Sequence, residues 1–383
     1  MIPLSSPIIA GNEWKYIKEC LDTEWVSTAG EYVKIFEDKI RIYTGAKYAI
    51  ACVNGTSALQ ISLCLAGVQN GDEVILPTLT FIAPVNAVAY NGASPIFMDC
   101  DDFYNIDSYK TIKFIENETI FKNGFTYNKT TNKKITAIVP VHIWGNAVWL
   151  DELVTICEER NIVIVEDASE SLGTFYSNGN YSGLHTGTIG KLGCISFNGN
   201  KIITTGGGGM IITDDEELSK KAYYLTTQAK DDPVRYIHDE IGYNFRLPNI
   251  QAALGVAQLE QLSNFLNKKR DILKHYIEAI KNIDGLEIAT VPNYANNNHW
   301  LNILQIDANI YHKDLEMIMT QMSQNSIQTR PVWTLNHLQK PYKSCQSYKI
   351  EKAVEFVQSS LCLPSSTQLR KEEIHKVVDV LNE

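Results

Sequence analysis

Between residues 48 and 214 short apolar, β-branched runs recur, each followed by a stretch with helical spacing: YAIACV, EVILP, SPIFMD, ITAIVPVH, NIVIVED, LGCISF and GMIITD. Several are apolar throughout rather than alternating, which predicts strands covered on both faces and so a mostly parallel sheet in an α/β domain. Ligands of such sheets gather at the carboxyl ends of the strands. The residues just after each run are therefore the first place to look for chemistry. The polar stretch from Lys122 to Lys134 breaks the rhythm and predicts an exposed excursion.

A second pattern begins at Leu247-Pro248, where proline suits the first turn of a helix whose spacing runs to about Ile283. Beyond it lie a strand-like HWLNILQID, a helix-like KDLEMIMTQM, a short IQTRPVW strand and an amphipathic KEEIHKVVDVLN. These predict a smaller α+β domain. The expected division is a large α/β domain over residues 1–255, including an N-terminal segment, and a small C-terminal domain over 256–383.

Length agrees with two domains, since 383 residues stand against roughly 150 per domain. The net charge of −10 disfavours a nucleic-acid partner, because a polyanion needs a broad basic surface. Eight scattered cysteines form no CxxC pair and no Cys/His ligand spacing, and they read as buried thiols of a cytosolic protein. The first residues, MIPLSSPIIAGNEW, show no export signal, and the longest apolar region, Tyr48 to Val68, is interrupted by polar residues. The expectation is a cytoplasmic chain that neither spans a membrane nor holds a metal.

Three clusters could carry chemistry. Asn54-Gly55-Thr56-Ser57 stands between a strand and a helix, where backbone N–H groups and small hydroxyls would suit a phosphate; Thr or Ser there would equally serve as a plain N-cap. Glu166-Asp167 ends the strand NIVIV, with Glu170 three residues on. A carboxylate at a buried strand end needs a cationic or hydrogen-bonding partner, or else caps the next helix. Lastly, Ser196-Phe197-Asn198-Gly199-Asn200-Lys201 is followed by the glycines 206 to 209. Four glycines in succession weaken packing, so they indicate a backbone that must approach something closely. A partly desolvated lysine beside them is a nucleophilic amine suited to Schiff-base chemistry. A Walker-type loop does not fit, because there the lysine follows the glycines.

An anion cradle, an acid for a ring nitrogen and an amine for an aldehyde are the parts pyridoxal phosphate requires. With GEYVKIFE, GTSAL, EDASESLG, SFNGNK, GYNFRLPNIQAALG, QTRPVW and LCLP, the chain resembles, over nearly its whole length, the DegT/DnrJ group of fold-type I aminotransferases, which aminate keto-sugars carried on nucleotides. The resemblance implies that Lys201 binds the cofactor aldehyde and shuttles the proton, that Asp167 holds the pyridinium proton, and that Thr56, Ser57 and Ser196 bind the phosphate. It implies that Phe81 stacks on the ring, that Glu170 lies near ring and substrate, and that Asn244 reaches the cofactor phosphate of a neighbouring subunit, hence a homodimer with shared sites. His142 matches the family but reads as a hydrogen-bonded support of the sheet. Common relatives carry Glu where this chain has Gly207. Trp25, Val26 and Ser27, with Thr329 and Arg330, match segments that contact the sugar nucleotide. The combination SFNGNKIITTGGGG with QTRPVW is most similar to enzymes of UDP-linked 2-acetamido-2,6-dideoxy-4-hexuloses, implying amination at C4 with glutamate as donor. A GDP- or dTDP-linked keto-sugar, amination at C3, or a regulatory subunit without turnover are the alternatives.

Overall fold

The computed structural model describes residues 1–232 and 234–382. All seven predicted runs form adjacent strands of one sheet, in the order Tyr48–Cys52, Gly209–Thr213, Leu192–Ser196, Val163–Asp167, Lys134–Ile138, Glu73–Pro77 and Ser94–Met98. Six of these run parallel, whereas Gly209–Thr213 is antiparallel to both its neighbours. Their inward residues are almost entirely buried between helices on both faces, which is why the runs are apolar without alternation.

Part of the polar stretch after Lys122 turns back as a hairpin, Thr119–Lys122 against Phe125–Asn128, joined to the edge of Lys134–Ile138. The short strand Ser347–Tyr348 adds in parallel to Ser94–Met98, so the chain returns to the large sheet late in its course. A second, antiparallel sheet orders Leu286–Ile288, Asn302–Ile306, Ser360–Leu363 and Arg330–Pro331. Ile2 bridges to Ile327 beside it.

The helical pattern after Pro248 is two helices, Asn249–Glu260 and Leu262–Ile280, with Pro248 just ahead of the first. The break at Gln261 redirects the second helix. Its stripe Leu262, Phe265 and Leu266 joins the core of the large sheet, while Ile272, Tyr276 and Ile280 join the core of the small one. Residue 255 falls inside the first helix; a Cβ on Gly255 would stand 2.7 Å from Phe36 and Thr205. No helix among the described residues is long and apolar enough to cross a membrane.

On the second helix Lys269 is fully buried, and its Nζ donates to the carbonyls of Trp300, at 2.8 Å, and Ser365. Burial pulls its amine down to about 7. A base whose folded pKa lies below its unfolded value binds fewer protons folded than unfolded, so folding gains stability as pH rises from about 7 to the unfolded lysine range. The melting temperature of the protein relative to Lys269→Met should therefore rise across that window. An unchanged difference between pH 7 and pH 10 would refute this.

Glycine 209 lets the returning chain press against the helix start at Asn54, while Gly208 lies against Thr205, whose Oγ1 would collide with a Cβ there. A Cβ at 209 would stand 2.5 Å from the Asn54 carbonyl, whereas one at 207 meets nothing closer than 3.9 Å. Gly209→Ala should cost about 1–3 kcal/mol and Gly207→Ala less than about 0.5 kcal/mol. Calorimetric melting of the two variants tests the contrast.

Candidate active site

At the carboxyl ends of the parallel strands a cavity of about 370 Å³ is walled by Thr56, Phe81, Asp167, Glu170, Ser196 and Lys201 together with Trp300 and Trp333. Side chains alternate faces along a strand, so Glu166 and Asp167 part ways. Glu166 points away from the cavity and is saturated. It accepts from His142 Nε2 at 2.9 Å and from the N–H groups of Gly187, Ile189 and Gly190 at 2.8, 2.7 and 2.6 Å. Burial pushes its carboxyl up, but His142 and those N–H groups hold it below the ordinary value. His142 Nδ1 accepts from the Val148 N–H at 3.1 Å, which leaves the proton on Nε2. His142 thus braces the loop beneath the sheet and is not on the cavity wall.

Asp167 has no comparable set of partners. Its Oδ1 accepts from the Ser169 N–H at 3.0 Å, and the carboxylate faces the cavity. Burial raises its pKa, opposed by Ser169 and by the charge of Lys201. An acid buried this way holds its charge best beside a cationic donor.

Lys201 sits in the loop that joins the antiparallel strands Leu192–Ser196 and Gly209–Thr213. Backbone bonds from Phe197 to Gly208, from Thr205 to Phe197 and from Lys201 to Asn198 shape that loop, and Gly206 supplies a φ of +78° that other residues adopt poorly. The lysine Nζ donates to Glu170 Oε1 at 3.2 Å. Glu170 Oε2 accepts from the Trp144 N–H at 2.8 Å. Burial raises the Glu170 carboxyl, against the pull of Lys201 and of that N–H. Trp144 itself has a φ of +54°, an outlier for a bulky residue of the kind that collects at functional sites.

The helix Gly55–Leu65 begins at the cavity, capped by Asn54, whose side chain accepts from the Ser57 N–H at 2.7 Å. The cap is therefore Asn54, not Thr or Ser, and Thr56 is left on the wall. Ser57 is buried one position behind the wall. Ser196 approaches the same helix start, since a Cβ on Gly55 would lie 2.9 Å from the Ser196 Cβ. Phe81 is 54% exposed although it borders a cavity, so it is not a core phenylalanine.

Other expected residues lie elsewhere in the single chain. Trp25 and Val26 are exposed, and with Ser27 they form a loop tied to Asn249, whose N–H donates to the Ser27 carbonyl and whose Nδ2 donates to the Trp25 carbonyl, each at 2.7 Å. Asn244 is exposed in a bridge to Thr227. Thr329 is buried, and Arg330 is an exposed strand residue whose Nη1 donates to the Thr329 carbonyl. That segment reaches the cavity through Trp333 instead. Thr80, Ser169, Trp300 and Trp333, given no role from the sequence, also line it, as do Asn54, Asn198 and Asn200 of the named clusters. Asn54 carried a signal, as asparagine is a favoured N-cap. Trp300 carried none, because a tryptophan beside a strand pattern reads as packing.

These residues fit pyridoxal phosphate. A pyridinium nitrogen would meet Asp167, an aldehyde would meet the Lys201 amine, and a phosphate would meet the helix start with Thr56 and Ser196, while Phe81 offers an unpacked ring face.

The comparisons with known proteins agree. The model of the DegT/DnrJ/EryC1/StrS aminotransferase family matches residues 7–382. EpsN of Bacillus subtilis (strain 168), named as a pyridoxal phosphate-dependent aminotransferase, is 34% identical over 387 residues, which covers 99% of this chain and 95% of that protein. GDP-perosamine synthase of Escherichia coli O157:H7 is 35% identical over 385 residues, covering 100% and 98%. A crystal structure of a DegT DnrJ EryC1 StrS aminotransferase from Brucella abortus matches with a TM-score of 0.86 and 26% identity, covering 97% of this chain and 94% of that one. With its fold, its site and its length all accounted for, the chain belongs to the DegT/DnrJ/EryC1/StrS aminotransferases, pyridoxal phosphate-dependent enzymes of fold-type I.

Proposed function

We propose that this enzyme moves the amino group of glutamate to C4 of a GDP-linked keto-sugar. The observation that carries the nucleotide is the 35% identity, over the full length, with GDP-perosamine synthase, and the GDP-linked substrate replaces the UDP-linked one expected from SFNGNKIITTGGGG and QTRPVW. Those two segments supply the lysine loop and Trp333 to the cavity, but Arg330 is not on its wall. They speak for the shared chemistry more than for the nucleotide.

Pyridoxal phosphate, when bound, supplies the electrophilic carbon and an electron sink. Asp167 keeps the ring nitrogen protonated, since a buried carboxylate is stabilised by a cationic partner. Thr56, Ser196 and the free N–H groups opening the helix Gly55–Leu65 anchor the phosphate. Phe81 covers one face. The Lys201 Nζ takes the α-proton of glutamate and, in the second half of the cycle, delivers a proton to the sugar carbon. Glu170 orients that nitrogen, and Trp144 orients Glu170.

A homodimer with shared sites belongs to the same reading. Asn244 is exposed in its own chain and away from its own cavity, a placement suited to a side chain that serves the site of a neighbour.

Incubation with nitrogen-15 glutamate and GDP-, UDP- or dTDP-linked 4-keto-6-deoxy sugars, read by mass spectrometry, should give a labelled GDP-amino sugar, with Lys201→Ala as an inactive blank. A labelled UDP product alone would overturn the nucleotide but not the aminotransfer. Release of 2-oxoglutarate with no sugar among the three would overturn the substrate class, and no release would favour a regulatory role.

Mixing Lys201→Ala chains with Asn244→Ala chains, each impaired alone, should restore activity in mixed dimers that carry one intact site. Absence of recovery after demonstrated subunit exchange would count against the shared site.

A further inference from the structure

Trp300 stands directly against the reactive nitrogen, and nothing in the reading above uses it. The Lys201 Nζ lies 4.0 Å from the centroid of its ring, on the side of the cavity that also presents Glu170. The ring is 3% exposed. Its Nε1–H donates to the Asn200 carbonyl at 2.7 Å, one residue before the lysine. Its backbone N–H donates to Asn298 Oδ1 at 2.9 Å and to the Trp144 carbonyl at 3.2 Å. Its own carbonyl accepts from the buried Lys269 Nζ at 2.8 Å.

Packing alone would require none of this. A tryptophan that only fills space needs one partner for its indole N–H, whereas here the ring is fixed to the very loop that carries the lysine and its backbone is pinned from three directions. What the fixed ring presents to Lys201 is its face. The face of an indole attracts a cation far more than a neutral amine, because the ring quadrupole is negative there.

We infer that Trp300 is a catalytic residue whose ring face holds Lys201 as an ammonium during the interval when that nitrogen carries the substrate proton. The inference rests on the aminotransfer proposed above. As the proton leaves glutamate Cα, the C–H electron pair stays with the substrate, and the lone pair of Nζ forms the new N–H bond. The ammonium then lies between the ring and Glu170. When that N–H bond breaks, the proton is handed on, the pair returns to nitrogen, and charge is balanced throughout. A charge-stabilising contact made only at this stage speeds the chemical step without tightening substrate binding.

Shape-preserving variants separate this role from packing. Position 300 is filled with mono-, di- and trifluorinated tryptophan, which weaken the ring quadrupole at nearly constant volume, and Trp300→Leu removes the face. In the holoenzyme the single-turnover rate with glutamate should fall stepwise with each fluorine, to a total loss of roughly 2- to 30-fold, and the α-deuterium isotope effect should rise in step. In cofactor-free protein, acetylation of Lys201 read by peptide mass spectrometry should quicken along the same series, because a less firmly held cation yields its nucleophilic form more readily. A rate, isotope effect and acetylation that are flat across the fluorinated series would overturn the inference, whatever Trp300→Leu does. The wild type is measured first. If it releases no 2-oxoglutarate from glutamate, the aminotransfer reading fails and this inference falls with it, an outcome distinct from a working wild type with a flat series.

Discussion

Two adjacent carboxylates at the buried end of one strand set the terms for the rest of the molecule. Removing a charge from water is tolerated only where hydrogen bonds or an opposite charge replace the lost hydration. Glu166 meets that condition within the protein, through His142 and three backbone N–H groups. Asp167 meets it only in part, through Ser169 and the nearby charge of Lys201. Strand alternation sends the satisfied acid under the sheet and the unsatisfied one into the cavity. The first is scaffold, and the second is placed where a cationic ring would complete its partners.

The cavity closes around that acid because distant segments are drawn to it by close backbone approach and by aromatic surface. Glycine at 209 allows the returning strand to lie against the helix start, where a side chain would collide with the Asn54 carbonyl. Position 207, by contrast, has open space. From later in the chain, Trp300 and Trp333 join the wall, and Trp333 stacks on Trp144 with ring centroids 5.3 Å apart. Trp144 in turn holds Glu170 through its strained backbone. The lysine is thereby framed by segments from both ends of the chain.

The helix Leu262–Ile280 links the core of the large sheet to that of the small one. One stripe serves both cores in succession, and Lys269 between them ties the Trp300 carbonyl to that of Ser365. A buried amine bonded to two carbonyls with no carboxylate beside it is a costly tether. It holds the backbone carbonyl of the residue whose ring faces Lys201.

Much of this was legible from the chain alone. Apolar runs named all seven principal strands, since a strand buried on both faces has no polar side to show. Lys201, Asp167, Glu170, Thr56 and Ser196 could be singled out because each stands at or near a strand end or near glycines, where local chemistry sets the residue type, whereas Phe81 came only through the family resemblance. The sequence could not reveal that Gly209–Thr213 runs antiparallel, that Ser347–Tyr348 returns to the large sheet, or that Trp300 lies under the lysine, because apolar periodicity records burial and not direction or partner. Nor could it place Trp25 or Arg330, whose types suit a sugar nucleotide but whose positions depend on how separate segments dock. What the residues determine by themselves is which groups are reactive and which faces must be buried; which reactive groups meet is decided by packing between segments far apart in the chain, as with Trp300 and Lys201, a distance over which no local pattern carries information.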